Sequence, residues 1–240
     1  MNKFAIVIST YKKPDGRTPK LLSKTLQSII DQTYTNWKVF LIGDKYEDDE
    51  EFKKLASIIP TDKIKCVNRL DAIVERDIYP MPSKPLWCAG GGSSTRFGID
   101  LALKEGYDFI CYLNHDDWWD CNHLANFNSA LIEYPNLFFL ASRSHYLQMN
   151  HILPPPSQKG GIGYYPIPQR IITSSTCIKF SETSVRSRDV FKETGVAIPG
   201  DMDLWSRLSQ FMKNNNKHGF LTNEITCYHL EEGSASTHFK

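Results

Sequence analysis

Apolar residues in this chain fall into short continuous runs separated by stretches of helical periodicity, the pattern of buried strands joined by crossover helices. Phe4 to Ser9 is the first run, and polar Thr10-Tyr11-Lys12-Lys13-Pro14 follows it as a loop at a strand's carboxyl end. From Pro19 to Gln32, Leu22, Leu26, Ile29 and Ile30 recur at helical spacing. Trp37 to Ile42 then reads as a second strand, ending at Gly43-Asp44. This strand, helix, strand order is a βαβ unit and requires a right-handed crossover in a parallel sheet.

Glu50 to Ile59 reads as a helix, Lys63 to Val67 as a short strand and Tyr79 to Gly92, rich in Pro and Gly, as loop. Ser93 to Glu105 is a helix that stops at Gly106, and Tyr107 to Leu113 is a strand with Asn114 to Asp117 at its carboxyl end. In open α/β sheets that edge is where ligands bind. His123 to Glu133 is helical, Leu137 to Ala141 a strand, and Pro154 to Pro168 a mobile loop over the site. Ile171 to Lys179 reads as a strand and Asp201 to Met212 as a helix, whereas Thr222 to Lys240 has no clear periodicity. The expected architecture is α/β, one domain over residues 1–240 with a mostly parallel central sheet flanked by helices.

At 240 residues the chain can bury a core without covalent staples. Its net charge of +1 leaves no cationic field for a nucleic-acid backbone, so nucleic acid is excluded as a partner. The six cysteines form no Cys-x-x-Cys pair, so reduced thiols are expected. Cys121 and His123 lack a second pair at zinc-ligand spacing. No apolar stretch has the length of a signal-peptide core or a membrane span. A cytoplasmic location is therefore expected, and peripheral contact with a membrane surface is compatible with it.

Four motifs carry the chemistry. The first is Ile8-Ser9-Thr10-Tyr11 with Leu22, Thr25-Leu26, Ser28-Ile29 and Gln32-Thr33-Tyr34; the second is Val39 to Asp44. The third joins Arg96-Phe97-Gly98-Ile99 to Tyr112-Leu113-Asn114-His115-Asp116-Asp117-Trp118-Trp119, and the fourth is Gly200-Asp201-Met202-Asp203-Leu204-Trp205. In this order they resemble the family 2 glycosyltransferases, inverting enzymes with the nucleotide-sugar-binding GT-A fold.

The resemblance implies a nucleotide-diphosphate sugar donor, a glycan or other hydroxyl acceptor and a Mn²⁺ or Mg²⁺ cofactor. It assigns residues 1–120 to the donor-binding half and residues 121–240 to the acceptor-binding half. Thr10, Tyr11, Asp44, Arg96, Asn114, His115 and Asp116 become candidate donor contacts, with Asp44 on the nucleotide base. Arg96 would neutralise phosphate or orient Asp116. Asp116 is the first candidate metal ligand, Asp117 a ligand or helper, and His229 meets the metal or diphosphate ahead of a Gly233-Ser234-Ala235-Ser236 tail. Asp201 is the candidate catalytic base.

A departing diphosphate needs positive charge as its bond breaks, and a hard cation prefers oxygen ligands. Adjacent side chains on an extended strand point to opposite faces, so Asp116 and Asp117 can both ligate only where the chain turns. Asn114 and Gly200 stand where the family has acids, and Phe97 where it commonly has asparagine. Asp201 also suits a helix cap, and His115 a spacer. Trp118 and Trp119 suit either an acceptor-sugar platform or core packing. A catalytically silent carbohydrate- or nucleotide-sugar-binding protein remains an alternative. A sugar-phosphate nucleotidyltransferase is less well supported, because Thr10 to Pro14 lacks the Gly-rich, Arg-containing loop it requires.

Overall fold

The computed structural model describes residues 2–81 and 83–230. The elements run β1 (Phe4–Thr10), α1 (Thr18–Ile30), β2 (Trp37–Gly43), α2 (Asp49–Leu55), β3 (Ile64–Asn68), α3 (Glu75–Ile78), α4 (Lys84–Ala89), α5 (Gly92–Lys104) and β4 (Phe109–Tyr112). They continue with β5 (Trp118–Trp119), α6 (His123–Glu133), β6 (Leu137–Tyr146), β7 (His151–Leu153), β8 (Gly161–Ile162), β9 (Thr176–Lys179), α7 (Val190–Thr194), α8 (Gly200–Asn214) and β10 (His218–His229). One sheet runs in the order β3-β2-β1-β4-β9-β6-β10-β5, with β7 on β6 and β8 on β10. The β3-β2-β1-β4 pairs are parallel, β9 is antiparallel to both neighbours, and β6 pairs parallel with β10.

The sheet is buried on both faces. Phe4, Ile6 and Ile8 point to a core shared with Leu22, Leu26 and Ile29 of α1, while Ala5 and Val7 point to one shared with Ile99 of α5 and Trp205 of α8. This is why β1 reads as a continuous apolar run. Gly98 is required by close approach: a Cβ there would lie 2.6 Å from Val7 Cγ1 and 3.0 Å from Ile42 Cγ1. The glycine of the Arg96-Phe97-Gly98-Ile99 motif therefore lets α5 lie on the sheet.

Several boundaries differ from the sequence expectation. The segment 79–92 is not wholly loop, because Ser83 accepts a hydrogen bond from the Leu86 N–H and Pro85 occupies the first turn of α4, where its missing N–H costs nothing. Helix α2 is shorter than Glu50 to Ile59 and begins at the Asp48 cap. The segment 171–179 opens with a 3-10 turn at Thr173–Ser175 before β9 begins. The aperiodic stretch after Thr222 holds the second half of β10, whose pairing with β6 shifts between Leu221 and Ile225 and so breaks the alternation. Residues 154–168 do not cover the site. Arg143 fastens their start by donating to the carbonyls of Pro154, Pro155 and Gln158.

Candidate active site

A pocket of about 410 Å³ opens at the carboxyl ends of β1 and β4. Ser9, Thr10, Tyr11 and Lys13 come from the end of β1 and the loop after it, Asp44 from the end of β2, and Arg76 from α3. Asn114, His115 and Asp116 follow β4, Asp201 stands in the first turn of α8, and His229 ends β10. Sequence positions more than 200 apart thus share one wall.

Neighbouring elements fix the two loops that carry these groups. Thr18, at the start of α1, accepts from the Lys13 N–H at 2.8 Å and donates to the Tyr11 carbonyl at 2.9 Å. The Thr25 hydroxyl lies 3.0 Å from the His115 carbonyl and 2.7 Å from that of Asp117. Gln32 donates to the Asp120 carbonyl and accepts from the Leu124 N–H, which ties α1 to α6. The Gln32-Thr33-Tyr34 motif is thus a latch behind the site and not part of its wall.

The two consecutive aspartates diverge. Asp116 lies on the pocket wall and pairs at 3.0 Å with Lys13, whose side chain is only 1% exposed. Asp117 is fully buried beneath that wall. One of its carboxylate oxygens accepts from His229 Nδ1 at 2.9 Å and the Leu230 N–H at 3.0 Å; the other accepts from Asn114 Nδ2 at 3.0 Å and the Ser174 hydroxyl. All this capacity is spent inside the protein, so Asp117 occupies a helper's position and does not offer a direct metal contact. The same geometry explains Asn114. A second carboxylate there would face Asp117 at hydrogen-bonding distance, whereas the amide donates.

Asp44 is buried, accepts from the Ser94 hydroxyl at 2.8 Å, and forms an ion pair with Arg76. The Arg76 guanidinium also lies 3.8 Å from the centre of the Tyr11 ring. His115 is 7% exposed and packs edge-on to Tyr11; burial pushes its pKa down and keeps the ring neutral, and its Nε2 has no protein partner. Thr10 bonds to the Tyr46 hydroxyl at 2.9 Å.

Asp201 reaches solvent through the pocket mouth but is crowded by protein, and this desolvation raises its carboxyl above the ordinary aspartate value. Its own Oδ1 accepts from the Met202 N–H at 2.8 Å, which partly opposes the rise. Asp203 plays a different part: Arg188 and Arg207 both bind its carboxylate, which secures the start of α8. Gly200 is bare because the α4 backbone leans on it; a Cβ there would lie 3.1 Å from the Cys88 carbonyl.

Some expected residues stand elsewhere. Arg96 is exposed on α5 and is absent from the pocket lining, so it neither reaches Asp116 nor faces the site. Trp119 is buried, donates to the Ser174 carbonyl and stacks on His123; Trp118 lies between Tyr228 and Lys24. Neither tryptophan lines the pocket. The 233–236 tail lies outside the described residues. Lys13 and Arg76 were missed, although a lysine following the first strand was a visible signal; Arg76 sits in a segment with no sequence pattern. The triplet Gly90-Gly91-Gly92 holds no free anion site, because Glu75 already caps α5 through the Ser93 N–H at 2.7 Å and hydroxyl at 3.0 Å.

No protein-family model matches the chain. It is 35% identical over 239 residues to an uncharacterised glycosyltransferase of Acanthamoeba polyphaga mimivirus, covering 97% of this chain and 95% of that protein. The chain belongs to the glycosyltransferases. It is also 28% identical over 130 residues to the amylovoran biosynthesis glycosyltransferase AmsB of Erwinia amylovora, covering 54% of this chain and 36% of AmsB. Among solved structures, it superposes on S. aureus TarS 1-349 in complex with UDP-GlcNAc with a TM-score of 0.66 at 13% identity, covering 99% of this chain and 61% of that one. A mannosyltransferase from Pyrobaculum calidifontis in complex with GDP-Man and Mn²⁺ gives a TM-score of 0.57 at 13% identity, covering 97% of this chain and 58% of that one. This glycosyltransferase thus spans about three-fifths of the solved chains it resembles, and has the mostly parallel, helix-flanked GT-A-like fold expected from its sequence. No helix among the described residues is long and apolar enough to cross a membrane.

Proposed function

We propose that the chain is an inverting, family 2 type glycosyltransferase that moves a sugar from a nucleoside-diphosphate donor to an acceptor hydroxyl. The observation that carries this reading is the single pocket joining Asp44, Arg76, Lys13, Asp116, Asp201 and His229. Asp44, Arg76 and Tyr11 form the base-binding side, where an aromatic face and a carboxylate suit a planar, hydrogen-bonding ring. Neutral His115 backs this side of the pocket, packed edge-on to Tyr11. Lys13 supplies fixed positive charge toward the diphosphate.

Asp201 takes the proton of the acceptor hydroxyl. The acceptor oxygen forms a bond to the anomeric carbon from the face opposite the diphosphate, and the carbon–oxygen bond to the diphosphate breaks with its electron pair leaving on phosphate. Desolvation raises the proton affinity of Asp201, the direction that strengthens a general base.

Asp116 and His229 are the residues that would hold a divalent cation. Among the described residues no cluster of three His, Cys, Asp or Glu side chains is arranged to hold a metal. The donor set therefore fits a hard cation that arrives with the nucleotide and takes its other ligands from diphosphate and water. When bound, Mn²⁺ or Mg²⁺ would neutralise charge on the leaving group.

A thermal-stabilisation panel of nucleoside diphosphates, with and without Mn²⁺, tests the reading. At least one nucleotide should raise the unfolding temperature, since a ligand of the native state adds stability. A response to none overturns the donor-site assignment.

A further inference from the structure

Two aromatic groups on the pocket wall are left unused by the donor chemistry: Tyr146, which stacks on His151 and packs edge-on to His229, and Trp87. Of the five tryptophans, Trp37, Trp119 and Trp205 are buried, and Trp118 is covered by Tyr228 and Lys24. Trp87 lines the pocket and is 43% exposed. Met81, 44% exposed, and buried Leu86 line the same pocket and add apolar surface to that of Trp87; Ile172 and Leu230 are further apolar lining residues.

Trp87 is held by a rigid support. Its helix, α4, buries Leu86 and Ala89 against Tyr79 and Phe191, while the Tyr79 hydroxyl donates to Asp189 at 2.7 Å. The same helix presents Trp87, next to Leu86, to the pocket. The position along the pocket is fixed by Gly200: the carbonyl of Cys88, next to Trp87, abuts the residue next to Asp201. An indole and the candidate base are thereby brought to adjacent parts of the same mouth. The base-binding side, Tyr11 with Arg76 and Asp44, already has its own aromatic face.

We propose that Trp87, with Met81, is the platform on which the acceptor's sugar ring lies, so that the acceptor is a glycoside and not a simple alcohol. The C–H face of a pyranose is apolar and packs on an indole, while its hydroxyls remain at the edge to meet Asp201. Gly200, which stands where an acid was expected, fits the same arrangement: the close approach of α4 that delivers Trp87 would crowd a Cβ there, at 3.1 Å from the Cys88 carbonyl. The proposal rests on the donor-site reading for its choice of acceptor over donor.

The test uses the full chain and its Trp87→Ala and Trp87→Phe variants. Methyl glycosides of glucose, galactose, mannose and N-acetylglucosamine are probed by saturation-transfer NMR, and UDP and GDP by calorimetry in parallel. At least one glycoside should receive saturation on its ring C–H protons. Its affinity should fall about tenfold or more in Trp87→Ala and recover in part in Trp87→Phe, while nucleoside-diphosphate affinity stays within about twofold. Unchanged glycoside binding in Trp87→Ala overturns the platform. So does a wild-type chain that binds UDP or GDP but no glycoside, and so does a Trp87→Ala variant that loses the nucleotide instead. Failure of the wild type to bind UDP or GDP counts against the donor reading alone, because the glycoside arm is read independently.

Discussion

Replacing Asp117 separates a structural hub from a metal ligand. In Asp117→Ala, four donors lose their acceptor: Asn114 Nδ2, the Ser174 hydroxyl, His229 Nδ1 and the Leu230 N–H. An orphaned buried donor costs about 1–3 kcal/mol. Ser174 can rotate to another partner, and His229, with its side chain 17% exposed, can take water. The expected loss is therefore about 3–5 kcal/mol rather than the full sum, a large part of the ~5–15 kcal/mol typical of a domain. Asp117→Asn keeps one acceptor oxygen for His229 and Leu230 and should lose about 1–2 kcal/mol. Urea denaturation reads both, with an m-value of about 1–3 kcal/mol/M turning the alanine loss into a midpoint shift of roughly 1 M or more. An Asp117→Ala chain as stable as wild type within ~0.5 kcal/mol, but with lost Mn²⁺ affinity, refutes the hub and restores direct metal ligation.

Further outcomes follow from the same contacts. Lys13→Met leaves Asp116 without its cation and should weaken nucleoside-diphosphate binding about tenfold or more, with a greater dependence on Mn²⁺, as calorimetry can read. Gly98→Ala puts a methyl 2.6 Å from Val7 Cγ1 and should destabilise by about 1–3 kcal/mol in the same urea assay. Buried His123 has a pKa lowered to about 3 by desolvation, below its unfolded value, so its contribution is full above that unfolded value. Stability should fall as pH drops from about 6.5 toward 3, with up to about one proton of slope, and His123→Gln should lose that slope.

The burial that raises the Asp201 pKa gives the opposite sign. The folded chain holds that proton more readily than the unfolded one, so stability falls as pH rises from the ordinary aspartate value through the raised one. Asp201→Asn should lack this dependence and be at least as stable as wild type near neutrality.

The parallel half of the sheet was legible because its strands are buried on both faces and its helices repeat at 3.6-residue spacing, so β1, α1, β2 and α6 read almost to the residue. Elements shaped by tertiary contacts were not. The β6–β10 pair carries buried Ser142, Arg143 and Ser144, which look like loop residues in sequence; Ser142 bonds to His123 and Arg143 to the Asn223 carbonyl. The strand-end motif located the pocket, since a ligand edge follows from topology. The split between Asp116 and Asp117 depends on how the 114–117 turn faces Lys13 on one side and His229 on the other, contacts over about a hundred residues in each direction. Arg76 and Trp87 lie in short helices without periodicity, and nothing local marks them as wall residues.

The central claim is that Asp201 removes a proton while the rest of the pocket holds the donor. Sugar transfer or donor hydrolysis by Asp201→Asn, measured beside calorimetry with the nucleoside diphosphate that stabilises the wild type, tests it most directly. Turnover should fall by about a hundredfold or more, as expected for loss of a general base, with nucleotide affinity unchanged within about twofold. An Asp201→Asn chain that turns over at the wild-type rate contradicts the account.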